Sequence, residues 1–121
     1  MSNEIKLDFN QARIAHIGFK SKLRSILYGN STEEEPVKSE YECAVGKWIY
    51  GHALERYGNI PEMAELERVH ASIHEAAREL LALYHEGQQE EARQGLGKVN
   101  AIADELIRLL SLIEKKVIEG E

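Results

Sequence analysis

Residues 65–80 read ELERVHASIHEAAREL, and the reading of this stretch decides the fold. Met63, Leu66, His70, Ile73, Ala77, Leu80 and Tyr84 recur in steps of three and four, the spacing of one face of an α-helix. Pro61 opens that helix where a missing N–H costs nothing, and Gly87 ends it. The helix is amphipathic, yet His70 and His74 stand one turn apart at positions where aliphatic residues belong.

The same period runs through the chain on both sides. Phe9, Ala12, His16, Phe19, Leu23 and Ile26 define a helix to about Tyr28, with Asp8 or Asn10 as its cap. Gly29 and Asn30 stop it, and Pro36 forbids continuation, so 29–39 reads as a floppy loop. A shorter helix over about 39–52 carries YECAVGKWIYGH, and a brief helical turn, ALERY, ends at Gly58-Asn59. A last helix over about 88–118 has Ala92, Leu96, Val99, Ala103, Leu106 and Leu110 on its seam, continued by Ile113 and Val117. Ile102, Ile107, Leu109 and Leu112 widen that seam beyond what one core needs, and a homodimer is the simplest way to bury the excess. Gly95 and Gly97 inside it signal either a close helix approach or a later helix start. Long helices joined by short connections predict an all-α, antiparallel four-helix bundle, with residues 1–121 as a single domain.

Composition narrows the function. The chain has 121 residues, with 21 acids against 15 bases and a net charge of −6, which disfavours a nucleic-acid partner. No apolar run is long enough to span a membrane, and the polar start MSNEIKLDFNQ is unlike a secretory signal. A cytoplasmic protein is expected. Cys43 is the single cysteine, so no internal disulfide forms. It reads either as a small buried hydrophobe or as a thiolate ligand.

His16 and His70 occupy seam positions of two different helices and should point into the core. Burying an imidazole without a partner costs roughly 1–3 kcal/mol. His74 projects from the same face as His70, and an i, i+4 pair can chelate one metal ion. By itself HxxxH is a weak signal, and no Glu follows the first His as in HExxH. Zinc takes four ligands in a tetrahedron. The helix pair supplies two and His16 a third, with Cys43, near the start of the short helix, as the natural fourth. A helix N-terminus and Lys47 would favour the thiolate, and Gly46 would let another helix approach the sulfur. His52 and His85 lie near helix ends and read as surface residues. Asp8, Glu67 and Glu75 are candidates to orient the imidazoles, and Trp48 and Tyr50 read as packing residues.

Three motifs in order, His16 with Phe19-Lys20, CAVGKW over 43–48 and HASIH over 70–74, resemble the chemoreceptor zinc-binding (CZB) domain family. Phe19 stands where that family has Trp, and Val45 where it has Leu or Phe. The resemblance implies a four-helix bundle, usually a homodimer, holding one zinc per protomer by three His and one Cys. Carried over by position, these are His16, Cys43, His70 and His74. It also implies a regulatory module that senses zinc or, through the cysteine, oxidants such as hypochlorous acid, and acts with chemoreceptor or cyclase signalling partners.

Four protein ligands leave zinc no open position for water, so an enzyme is not expected. The competing readings are a structural zinc dimerisation module without sensing, and an iron bundle of the hemerythrin or ferritin type. The latter would need a second Glu-x-x-His pair beside Glu67 and His70. The short helix has the smallest packing surface and is the candidate moving part.

Overall fold

A computed structural model describes residues 2–120. Among the described residues the structure is all-helical: α1 (Ser2–Leu27), α2 (Glu35–Lys38), α3 (Ala44–Trp48), a π-helical turn (Ile49–Ala53), α4 (Leu54–Tyr57), α5 (Glu62–His85), α6 (Gln89–Gln94) and α7 (Leu96–Glu119). None of these helices is long and apolar enough to cross a membrane.

The helix-period residues form the core as expected. All six seam residues of α1 are buried, as are Met63, Leu66, His70, Ile73, Ala77 and Leu80 of α5. α5 packs on α7 and α6, while α1 packs on α7, α3 and α2. Two helices end in the same glycine device. Gly29 (φ 80°) and Gly87 (φ 86°) take the left-handed conformation, which costs glycine little. Gly29 donates to the Ile26 carbonyl and Asn30 to the Ser25 carbonyl, and Gly87 and Gln88 repeat the pattern on Tyr84 and Leu83.

Four expectations are corrected. α1 begins at Ser2, so Asp8 and Asn10 lie inside the helix and cap nothing. The cause is Ile5, buried one turn before Phe9, which extends the apolar seam toward the N-terminus. The 29–39 segment is not a featureless loop: Pro36 sits in the first turn of α2, and Val37 is fully buried. Lys22 pairs with Glu33 at 3.3 Å and Arg78 donates to the Lys38 carbonyl at 2.8 Å, tying the segment to both long neighbours. The short helix starts at Ala44 instead of 39 and runs unbroken through the π-turn into α4. There the Leu54 N–H reaches back five residues to the Ile49 carbonyl, inserting one extra residue into the helix.

The fourth correction concerns the C-terminal helix, which is broken at Gly95 into α6 and α7. A Cβ at Gly95 would lie 2.2 Å from Leu80 Cδ2, so this glycine both breaks the helix and admits close approach to α5. Gly97 does neither, since a Cβ there would meet nothing within 4 Å. The wide apolar stripe of α7 is largely consumed inside the chain. Leu109 is fully buried, and Ile102 and Ile107 pack half-buried against the core, because α7 meets both α5 and α1. The large exposed aliphatics lie instead on α1: Leu7, Ile14 and Ile17.

Gly97→Ala should therefore stabilise the chain by about 0.4–1 kcal/mol, through reduced freedom of the unfolded state. Gly95→Ala should destabilise it. Urea unfolding midpoints of the two variants moving in the same direction would refute the distinction.

Candidate metal centre

The centre is assembled from α3 and α5, with α1 and α2 closing it. His70 and His74 lie one turn apart on the buried face of α5, with ring centroids 4.7 Å apart. Cys43 is the N-cap of α3, in extended conformation, and its sulfur accepts the Gly46 N–H at 3.1 Å. Cys43 Sγ lies 3.2 Å from His70 Nε2 and 3.2 Å from His74 Nε2, and the two Nε2 atoms are 3.2 Å apart. The three ligand atoms form an equilateral triangle. With zinc bonds of 2.0–2.3 Å, the edges of a tetrahedron are about 3.3–3.6 Å, so the triangle is close to one face of a zinc site.

Hydrogen bonding alone does not account for this triangle. His74 Nδ1 is 2.6 Å from the Val37 carbonyl, which can only accept, so Nδ1 carries the ring proton and Nε2 presents a lone pair. Burial lowers the His74 pKa against the Val37 hydrogen bond, which raises it, so the ring stays neutral. His70 is pushed down to about 3 by burial first, then by His74 and His16, and it too carries one proton. At most two protons, one from the thiol and one from His70, are left for three edges. A cation at the centre satisfies all three atoms at once. Among the described residues this is the one group of three or more His, Cys, Asp or Glu placed to hold a metal, and it contains no carboxylate.

His16 is buried beside this group but outside it. Its side chain is 3% exposed and its Nε2 has no hydrogen-bond partner. Burial holds its pKa down to about 4, with Lys20 adding to the effect and Asp104 opposing it. The Phe19 ring packs at 6.3 Å from the His16 ring and 4.9 Å from His74. The donor set suits a borderline-soft cation. It comprises one sulfur and two nitrogens in contact, with a third buried nitrogen left unpartnered alongside. His70 Nδ1 is also buried without a partner.

Two supports of the site were not in the sequence expectations. Val37 orients His74 through its main-chain oxygen, which no side-chain pattern marks; Pro36 opening a helical turn was the available signal. Glu40 holds a second position. A Cβ at Gly46 would fall 1.6 Å from the Glu40 carbonyl oxygen and 3.2 Å from His70 Cε1, so only glycine admits the chain here.

The carboxylates expected to orient the imidazoles do other things. Asp8 accepts from Trp48 Nε1 at 3.0 Å, from Tyr57 Oη and from His52 Nε2 at 2.8 Å. Burial pushes Asp8 up, but these three donors and the His52 charge outweigh it and lower its pKa. Tyr57 is raised by burial and by Asp8. The Tyr50 hydroxyl donates to Glu40 at 3.5 Å, with Glu67 beside it helping to raise its pKa, and Glu75 is exposed. Trp48 is thus a hydrogen-bond donor as well as a packing residue. His85 is exposed as expected, while His52 is half-buried against Asp8.

The thiol also departs from expectation. Burial raises the Cys43 pKa, outweighing the Gly46 and Val45 N–H groups, and Lys47 is exposed and contributes least. Without a cation the sulfur is held protonated, so the metal itself must supply the thiolate.

The buried Cys43, His70 and His74 form a group that could hold a metal ion. The sequence profile of the chemoreceptor zinc-binding domain matches residues 16–81, more than half of the chain, and the chain belongs to that family. The matched span begins at His16 and takes in Cys43, His70 and His74. Comparisons with curated proteins and with solved structures return no match.

The three depressed imidazoles fix the pH response of the metal-free chain. Unfolded, they titrate near 6.5. Below that pH the unfolded chain binds more protons than the folded one, so stability is complete above about 6.5 and falls as pH drops toward 4. The urea midpoint of metal-free protein should be lower at pH 5 than at pH 7.5. Equal midpoints would contradict the burial of neutral rings.

Proposed function

We propose that this chain is a zinc-binding regulatory module that holds one Zn2+ per protomer through Cys43, His70 and His74, with His16 as fourth ligand. The observation that carries the reading is the 3.2 Å triangle of Sγ and two Nε2 atoms, in which the available protons can bond at most two of the three edges. The unpartnered Nε2 of buried His16 supports the fourth assignment. On this reading residues 1–121 form one domain, an antiparallel four-helix bundle of α1, the α3–α4 segment, α5 and α6–α7, working as a homodimer. Four protein ligands close the tetrahedron, so the module binds and responds without catalysing a reaction.

The response runs through the sulfur. Metal binding stabilises the thiolate; oxidation to a sulfenic acid, or removal of zinc by a chelator, removes that ligand. A cleft of about 370 Å³ has Cys43 in its wall, with Phe19, Val37 and the cations Lys22 and Lys47 around it, and it offers a small oxidant a route to the site. Loss of the metal–sulfur bond frees the N-terminal turn of α3, which Cys43 caps, and Trp48 at the other end of that helix reports the change. Burial disfavours the metal-free thiolate of Cys43, so removing the cation also removes the ligand form of the sulfur.

Elemental analysis should find about one zinc per chain, and Cys43→Ala, His70→Ala or His74→Ala should reduce it to about none after dialysis. His16→Ala should retain zinc more weakly. A wild-type chain purified from zinc-supplemented medium without zinc would sink the proposal.

Zinc should also leave reversibly under mild chelator or peroxide, with a change in Trp48 emission. Zinc that stays until the chain unfolds would leave only the structural module.

A further inference from the structure

The centre has four covers, and on the proposed ligand set three of them hold the metal: α1 through His16, the start of α3 through Cys43, and α5 through His70 and His74. The fourth is the strap of residues 31–42, which carries the four-residue α2 and supplies no ligand atom. It can leave the site without breaking a metal bond. The strap is also thinly held. Val37 is the one buried residue among 31–42. The other ties lie toward the surface. Glu33 pairs with Lys22 of α1 at 3.3 Å, Glu34 meets His85 at the end of α5 at 2.7 Å, and the Lys38 carbonyl accepts from Arg78 at 2.8 Å. Glu33 and His85 are exposed, and such pairs contribute little in water. A segment with few buried apolar contacts and solvent-facing bonds opens locally well before the whole chain unfolds.

We infer that the 31–42 strap is a lid whose opening gates entry and exit of the metal, and that lifting it uncovers the site and loosens a ligand in one motion. The inference rests on the zinc reading above and adds how the metal comes and goes. Val37 joins the two events. Its side chain is fully buried and seats the strap in the core, while its carbonyl oxygen lies 2.6 Å from His74 Nδ1. Lifting the strap withdraws both. The His74 ring then loses the acceptor that keeps Nε2 turned toward the metal. The same movement widens the cleft beside the Cys43 sulfur. One wall of that cleft is the strap at Glu33, Pro36 and Val37, and the other is α1 at Ala15, Gly18 and Phe19. A Cβ at Gly18 would meet nothing within 4 Å, so α1 puts no side chain there to close the gap.

A lid of this kind has a kinetic signature. The Glu33 and Glu34 side chains bond Lys22, Lys38 and His85, none of them a ligand, so they steady the strap equally with the site full or empty. Weakening them speeds entry and exit by one common factor and leaves the affinity where it was. Each exposed pair is worth about a two- to fivefold change in an equilibrium. Salt screens such pairs, so exchange should also quicken as ionic strength rises. A group that merely supports the bound site behaves otherwise: its loss speeds exit alone and weakens affinity to match.

The test is stopped-flow transfer of zinc from the loaded full chain to excess chelator, with zinc uptake by the metal-free chain measured beside it. Glu33→Gln/Glu34→Gln should raise both rates about tenfold, with zinc content and Kd unchanged. Arg108→Gln, which removes the exposed pair with Glu105 on α7, should change neither rate. Amide exchange gives a readout that needs no metal. The Val37 and Lys38 N–H groups, each 2.9 Å from the Glu34 carbonyl, should exchange faster than those in the middle of α5, and faster again in the double variant. Unchanged transfer rates in a double variant of normal zinc content would overturn the lid and leave the zinc reading standing. Faster exit with a matching loss of affinity would do the same, as would a Val37 N–H that exchanges as slowly as the core of α5. A wild-type chain that takes up no zinc would overturn both.

Discussion

Three polar atoms meet inside an apolar core with too few protons among them, and the surrounding structure is arranged to keep them there. Sγ of Cys43 and the Nε2 atoms of His70 and His74 face one point. Each arrives by a different device. α5 delivers two rings by helical period alone. The Val37 carbonyl fixes the tautomer of His74 so that its lone pair faces inward. The N-cap position of Cys43 holds the sulfur against the start of α3. Gly46 makes the approach possible, because any side chain there would run into the Glu40 main chain. An uncharged interior would tolerate none of these groups singly without a partner. One divalent cation gives all of them a partner.

The segment from Cys43 to Tyr57 is consequently held at two points by different chemistry. Its start is held by the triangle. Its later part is held by Asp8 on α1, which takes donors from Trp48, His52 and Tyr57. The π-turn lies between Trp48 and α4 and supplies the extra residue in the helix that carries His52. A carboxylate satisfied by three donors is a strong anchor. On the proposed ligand set, loss of the metal would release the segment at Cys43 and leave it fastened at Asp8. The mobile element is then shorter than the whole helix, essentially the turn at 43–47. Trp48, bonded to Asp8 and packed edge-on against Phe9 at 5.3 Å, marks its boundary.

The sequence disclosed what depends on side-chain periodicity and hid what depends on the main chain. The seam of α1 is buried residue for residue, and that of α5 from Met63 to Leu80 with Tyr84 half-buried at its end, because the 3.6 period is written in side chains. The three atoms that meet were legible for the same reason, His70 and His74 from the period and Cys43 from its place before a helix. Val37 was hidden because its contribution is a carbonyl, common to every residue. The break at Gly95 was seen as one of two alternatives, and both proved true of that glycine, since a helix that bends toward α5 also needs room beside Leu80. Asp8 was assigned to the wrong neighbours: position along a helix gives a face, but not which side chains of a later segment fold back onto it. The excess apolar surface was placed on α7, where periodicity is widest, yet α7 spends that width on two neighbours while Leu7, Ile14 and Ile17 of α1 stay exposed.

On the proposed ligand set, the metal and the exposed aliphatics of α1 meet on one helix. His16 points inward from α1, and Ile14 and Ile17 flank it in sequence and point outward. A ligand bond at His16 fixes the rotation of α1 about its own axis, because the imidazole must reach a defined point. Each residue is about 100° from the next around the helix, so a modest turn of α1 would also move the exposed Ile14 and Ile17. On that ligand set, metal state reaches the outer face of α1 with no longer route than the helix itself.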